Sequence, residues 1–281
     1  MKKTGIVVCD DHSIWSSQWR RVLDERRPNR YEVTTVNSPR EMEKTLEENT
    51  SVSIVVLDVD FARAVPETGL FGLEAVERQR RRRDGNDLHC IMMTLEEEDN
   101  RKLFLHTAFQ CFHPAPVDLI YKNDELDDIA VSTLDLLAAG GRPGPRRYAE
   151  FVPRARQDTL MYHLIGGPKP RGKKNHVFPV RYTLWKTLSE MDDNEKEISG
   201  MNLLREATGL NRNSIYAHLE HAFSVASEIV PTMRFGPKSV SSHGFKERNE
   251  QIAPLRGFAG ANRLFFQAPE LDRIVIERLM D

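Results

Sequence analysis

The chain has 281 residues, 40% of them hydrophobic and 29% charged, with a formal net charge of −2 at pH 7. That is the composition of an ordinary globular protein of one or two domains, with enough apolar material for real cores. No run approaches the length of a membrane span, and the opening MKKTGIVVCDD reaches acid too soon for a signal peptide, so a cytoplasmic protein without a membrane partner is expected.

Three cysteines, Cys9, Cys90 and Cys111, stand far apart with no CxxC, which argues against a disulfide frame or a zinc site. The net charge hides an asymmetry. Residues 142–281 carry 22 Lys+Arg against 16 Asp+Glu, a net of +6, which leaves a net of −8 for residues 1–141. An acidic half followed by a basic half points to two units with different partners.

In chain order, strand-length apolar runs fall at Ile6–Cys9, Tyr31–Val36, Val52–Leu57, His89–Met93 and Val117–Tyr121. Between them lie stretches of helical period at Ile14–Arg26, Arg40–Glu48, Leu70–Arg82, Asp99–Phe109 and Glu125–Ala139. Val/Ile-rich strands alternating with helices predict an α/β unit, a five-stranded doubly wound parallel sheet covered on both faces. Ser38 as N-cap, Pro39 at the first helical position and Glu41 three residues past the cap mark one helix start.

The breaker cluster AAGGRPGPRR closes this unit, giving a domain over 1–141. Residues 142–178 carry nine Lys/Arg against Glu150 and Asp158 and read as a basic, partly ordered linker with a short helix over 155–165. Residues 179–281 form a second, mostly helical domain. Its helices are expected over Tyr182–Met191, Met201–Thr208 and Asn213–Ile229, with a strand at NRLFFQ and a closing helix in PELDRIVIERLMD.

Ligands of an open parallel sheet bind beyond the carboxyl ends of its strands. Asp10 and Asp11 end the first strand and Asp58 ends the third. Carboxylates brought that close repel unless a cation intervenes, and Mg²⁺ suits carboxylates, waters and phosphate oxygens. Thr94 ends the fourth strand and Lys122 follows the fifth. A hydroxyl and an ammonium beside such a cluster suit a phosphoryl group, with Asp58 as the nucleophile that accepts it.

VVCDDH, VVLD, GLEAVERQR, MMT and YKND, in this order, resemble the receiver domain of bacterial two-component response regulators over residues 1–141. The resemblance implies phosphotransfer from a histidine kinase to Asp58. It implies Mg²⁺ held by Asp11, Asp58 and the carbonyl of Asp60, with Asp10 assisting through water, and it implies that Thr94 and Lys122 read the phosphate. Three features depart from the family pattern. Gly72 stands fourteen positions after Asp58, so VDFARAVPETGLF holds an insertion; Asn123 follows Lys122 in place of proline; and Leu119 takes the place of an aromatic switch residue. A remote alternative reads VVLDVDF as the DxD of a haloacid-dehalogenase-like phosphatase, with Asp58 as nucleophile and Asp60 as general acid. That family puts its nucleophile on the first strand, and here the acid pair comes first.

In the second domain, LLREATGLNRNSIYAHLEHAF resembles a helix-turn-helix. Gly209 suits the left-handed position after one helix, Asn211 is a plausible N-cap for the next, and Ile215, Leu219 and Phe223 share a face. The second helix would read a major groove of double-stranded DNA through Arg212, Asn213, Tyr216 and His218. Arg205 stands where the motif prefers a small packed residue. Arg234, Lys238 and Lys246 are expected on a β-hairpin wing formed with NRLFFQ. No P-loop, HExxH or Ser/His/Asp signature points to a catalytic output domain. The composite expectation is a phosphorylation-switched, homodimeric transcription factor, not an enzyme, that dimerises through the face of its fourth helix, fifth strand and fifth helix. The alternative is an atypical receiver that regulates a protein partner without phosphorylation or DNA binding.

Overall fold

The structure is a computed structural model and describes residues 3–61, 68–83, 88–95, 101–122, 128–144, 148–152, 160–166, 178–192, 197–229, 240–241, 244–245 and 252–279. The chain divides into two compact units, Met1–Val152 and Pro153–Asp281. The division falls inside the expected linker.

The first unit alternates strictly: β1 (Thr4–Cys9), α1 (Ser13–Arg26), β2 (Tyr31–Val36), α2 (Pro39–Glu48), β3 (Val52–Asp58), α3 (Gly69–Arg82), β4 (His89–Thr94), α4 (Lys102–Cys111), β5 (Asp118–Tyr121) and α5 (Ile129–Ala138). All neighbouring strands are parallel, in the order β2-β1-β3-β4-β5. The chain therefore reverses its winding between β1 and β3, and a crevice opens there beyond the strand ends.

Strand alternation supplies two cores. Ile6, Val8, Ile54, Val56, Ile91, Met93 and Ile120 meet Trp19, Val22 and Leu23 of α1 and Ala130, Val131, Leu134 and Leu137 of α5. The residues between them, Val7, Cys9, Val55, Leu57, Cys90, Met92 and Leu119, are buried on the opposite side of the sheet. α2 starts as its sequence signals predict: the Ser38 hydroxyl accepts from the Glu41 amide at 3.2 Å, and the Glu41 carboxylate reaches back to the Asn37 amide at 2.9 Å.

α4 is buried on every side from Leu103 to Cys111. Its outer face is closed by the segment that follows α5. Phe109 stacks on Tyr148 at 4.9 Å, and the Gln110 amide donates both to His106 Nδ1 at 2.9 Å and to the Phe151 carbonyl at 3.1 Å. The amide donor makes Nδ1 the acceptor, so the ring is neutral. Burial, with Lys102 adding to it, pushes the His106 imidazole down to about 4.

The second unit is built on α7 (Val180–Glu190), whose Tyr182, Trp185 and Leu188 are buried. Around it lie α6 (Leu160–Leu164), α8 (Glu197–Thr208), α9 (Arg212–Ile229), α10 (Ile252–Ala261), α11 (Arg263–Phe266) and α12 (Pro269–Arg278). Trp185 stacks on Phe266 at 5.3 Å, and its indole N–H donates to the Leu164 carbonyl at 3.1 Å. NRLFFQ is therefore not the expected strand: Arg263–Phe266 is helical, because Phe265 and Phe266 enter this core side by side. A short apolar run does not distinguish a strand from a buried helical turn by pattern alone. The strands of this unit among the described residues are the antiparallel pair β6 (Val240–Ser241) and β7 (Gly244–Phe245). The wing candidates Arg234, Lys238 and Lys246 lie outside the described residues.

Candidate functional site

Three strand ends deliver three charged groups to one point. Asp10 follows β1, Asp58 closes β3 and Lys122 follows β5, and all three are almost wholly buried. Lys122 Nζ lies 2.7 Å from Asp58 Oδ2 and 2.7 Å from Asp10 Oδ2. The contact to Asp58 is an aligned hydrogen bond; the one to Asp10 is a close ion pair without hydrogen-bond alignment. Each carboxylate is also held by backbone. Asp58 Oδ1 accepts from the Val59 amide at 2.8 Å, and Asp10 Oδ1 accepts from the His12 amide at 2.8 Å. Trp15 of α1 covers the ammonium, with its ring centroid 5.8 Å from Nζ.

Two carboxylates and one ammonium removed from water leave a surplus of negative charge. Burial pushes the Asp58 carboxyl up to about 7; the Lys122 ammonium opposes that rise and the Asp10 charge adds to it. A further cation would relieve this strain. Asp11 stands beside Asp10 at the rim, its Oδ1 2.9 Å from His12 Nδ1, and donor atoms of Asp10, Asp11 and His12 lie within 4.8 Å of one another. A set dominated by carboxylate oxygens fits a hard divalent ion such as Mg²⁺.

Thr94 ends β4, buried, one position beyond Met93, which pairs with Asp58 across the sheet. Its carbonyl accepts from the Lys122 amide at 2.7 Å, so backbone ties the threonine and lysine positions together. The Thr94 hydroxyl makes only a long contact, 3.4 Å, to the Leu95 carbonyl. Leu119 is fully buried in β5. Asn123 and residues 62–67 of the insertion lie outside the described residues.

Two features of this rim were not among the sequence expectations. Gly69 opens α3 against the end of β3: a Cβ there would stand 2.8 Å from the carbonyl oxygens of both Asp58 and Val59. Arg101, just before α4, binds the Asp60 carboxylate, Nη2 to Oδ2 at 3.2 Å, with its side chain 13% exposed. The sequence signal for Gly69 was its place directly after Thr68, which caps the helix by accepting from the Leu70 amide. The signal for Arg101 was a cation seven residues beyond Thr94, in a stretch that reads as ordinary surface helix.

In the second unit, Gly209 has φ +65°, and its amide donates to the Arg205 carbonyl at 2.7 Å, the expected end of α8. Asn211 Oδ1 accepts from the Ser214 amide at 2.9 Å, the expected start of α9. Ile215 and Leu219 are buried, Arg205 is exposed, and Met201, Leu204 and Thr208 of α8 are buried instead. Among the four DNA-facing expectations, Arg212 and Asn213 are exposed and His218 is half-buried, whereas Tyr216 is buried. The Tyr216 hydroxyl accepts from Arg212 Nε at 3.0 Å and Nη2 at 2.8 Å. The Phe223 side chain lies outside the described residues. No helix among the described residues is long and apolar enough to cross a membrane.

No family model and no curated protein matches the chain. Among solved structures, it is similar to a two-component response regulator of the LuxR family from Aurantimonas sp. SI85-9A1, at 23% identity over 54% of this chain and 96% of that one, TM-score 0.40. It is similar to the RcsB response regulator of Salmonella typhimurium, a structure described for conformational dynamism in DNA interaction, at 11% identity over 79% of this chain and 92% of that one, TM-score 0.46. It is also similar to the isolated REC domain of RcsB from Salmonella enterica serovar Typhimurium in the presence of phosphomimetic BeF3⁻, at 13% identity over 54% of this chain and all of that one, TM-score 0.40. The first unit is a five-stranded parallel sheet in 2-1-3-4-5 order with flanking helices, and a mostly helical region follows it.

Proposed function

We propose that this chain is a response regulator whose Asp58 accepts a phosphoryl group and whose second unit binds double-stranded DNA. The observation that supports the first part best is the single ammonium of Lys122 set 2.7 Å from both Asp10 and Asp58 at the carboxyl edge of the sheet. Burying two carboxylates and a lysine has no structural benefit that apolar residues would not supply. As a phosphoacceptor site the arrangement is economical. Asp58 Oδ2 attacks phosphorus, the bond from phosphorus to the donor's leaving group breaks, and the donor leaves with its electron pair. Lys122 follows the charge from the carboxylate to the new phosphoryl oxygens. Thr94, whose hydroxyl has only the weak contact to Leu95, turns to donate to one of those oxygens. Mg²⁺, held by Asp11, Asp58 and the Asp60 carbonyl with Asp10 assisting, would supply positive charge to the transferring group. A histidine kinase is the donor class, and the three buried thiols suit a reducing, cytoplasmic setting.

For the second part, helix, left-handed glycine and capped helix supply the frame of a helix-turn-helix, with Arg212, Asn213 and His218 on the recognition side. A homodimer would present two such helices; because Tyr148 and Phe151 cover α4, Ile129 and Leu136 of α5 are the exposed apolar groups for that contact. One observation favours the second reading, a receiver acting on a protein partner: Tyr216 is buried, with its hydroxyl engaged by Arg212, which withdraws one of the four base-reading candidates. The phosphatase alternative has less support, because the general acid it needs, Asp60, is held by Arg101.

Incubation with acetyl phosphate and Mg²⁺ followed by intact-mass measurement tests the first part: wild type gains one phosphoryl mass and Asp58→Asn gains none. An unmodified wild type overturns it. A salt titration of binding to random duplex DNA tests the second: affinity falls steeply with salt if a basic surface binds, and no binding at low salt selects the protein-partner reading.

A further inference from the structure

Arg101 is a cation beside the acceptor site that the sequence pattern does not assign. It sits just before α4, its side chain is mostly buried, and its guanidinium hydrogen-bonds at 3.2 Å to the side chain of Asp60. Asp60 is two residues beyond Asp58, so this cation stands at the mouth of the acceptor site, and its charge is felt at Asp58. A guanidinium prefers phosphate to a single carboxylate oxygen, because its planar fork matches two phosphoryl oxygens at once. Phosphorylation of Asp58 would put such oxygens within its surroundings while Asp60 offers one contact.

We propose that Arg101 is a phosphoryl-binding residue that exchanges Asp60 for the phosphoryl group on Asp58. The inference rests on the phosphoacceptor reading above and adds a second cation to Lys122. Asp60 then acts as a competitor that parks the guanidinium while the site is empty. The exchange has two consequences. The residue that opens α4 is drawn toward the phosphoryl group, which gives the helix a direct mechanical link to the acceptor. The buried guanidinium also screens the phosphoryl group from hydrolysis, in which water attacks phosphorus, the bond from phosphorus to the Asp58 oxygen breaks with its electron pair left on the carboxylate, and the two protons of the water go to the released phosphate and, in part, to solvent.

The test follows from the competition. If Arg101 and Asp60 formed only a structural pair, removing either partner would move the aspartyl-phosphate lifetime in the same direction. Under exchange the two substitutions act oppositely. The protein is phosphorylated with acetyl phosphate and Mg²⁺, freed of the donor by desalting, and the phosphorylated fraction is followed by intact mass. Arg101→Ala shortens the half-life several-fold, Arg101→Lys falls between Ala and wild type, and Asp60→Asn, which leaves the backbone carbonyl in place, lengthens it. Thermal unfolding of each variant identifies a failure to fold, and Arg101→Lys and Asp60→Asn still decide the question if Arg101→Ala fails. Shifts in the same direction, or none, overturn the exchange while leaving phosphorylation intact; a wild type that takes up no phosphoryl group removes both.

Discussion

The two units bury different things. In the first, two carboxylates, an ammonium and a threonine hydroxyl are buried together at one edge of a sheet, beside a core of Val, Ile, Leu and Met side chains with Trp19 and Tyr31. In the second, the interior centres on an aromatic cluster of Trp185, Phe258, Phe265 and Phe266, the Thr208 hydroxyl donates to its own helix at the Leu204 carbonyl, and the Ser189 hydroxyl donates to the Lys186 carbonyl and accepts from the Gln267 amide. Desolvated charge opposes folding, so its presence in the first unit marks chemistry there. Among the described residues of the second unit the buried charged side chain is Glu270, in the first turn of α12, where a helix N-terminus favours a carboxylate, so whatever that unit binds must be read on its surface.

Substitutions sharpen this contrast. Trp185→Ala should have the largest effect, about 3–5 kcal/mol lost from the second unit. Trp15 and Trp19 fluorescence would still report an unchanged transition for the first unit in denaturant, while far-UV dichroism shows early loss of helix. Lys122→Met strands two buried carboxylates and should cost about 3 kcal/mol at pH 8, whereas Asp58→Asn removes a charge that burial disfavours and should raise the denaturation midpoint by the equivalent of about 1 kcal/mol. Opposite signs from two residues 2.7 Å apart would separate a functional site from a structural ion pair. Gly69→Ala presses a methyl group against the Asp58 and Val59 carbonyls and should cost about 1–3 kcal/mol. Crucially, it should also slow phosphoryl uptake, because the backbone that must shift belongs to the acceptor.

The smallest effect concerns pH. His106 is held neutral in the folded chain, with its pKa pushed down to about 4 from the ordinary 6.5. Between those values the unfolded chain binds the extra proton, so the contribution is fully present above pH 6.5 and is lost as the pH falls toward 4. His106→Gln should flatten the stability profile over that window, read by urea midpoints at a series of pH values.

The five strands of the first unit and the gathering of Asp10, Asp58 and Lys122 were legible because βα alternation and strand ends are periodic features of sequence. The α11 turn was not, since two adjacent phenylalanines look alike in a strand and in a buried helical turn. Arg101 and Gly69 escaped for another reason: their roles depend on which loop returns to which strand end, and spacing does not encode that. Tyr216 shows the same limit from the other side. It is expected on the DNA-reading face, yet it is buried and its hydroxyl accepts from Arg212.

Asp58 as the acceptor can be tested directly. After treatment with acetyl phosphate and Mg²⁺, borohydride reduces an acyl phosphate to the alcohol, which converts an aspartate to homoserine. Peptide mass mapping should then find homoserine at Asp58 alone, and only when Mg²⁺ was present. Homoserine at Asp10, Asp11 or Asp60, or an unmodified peptide spanning β3, would contradict it.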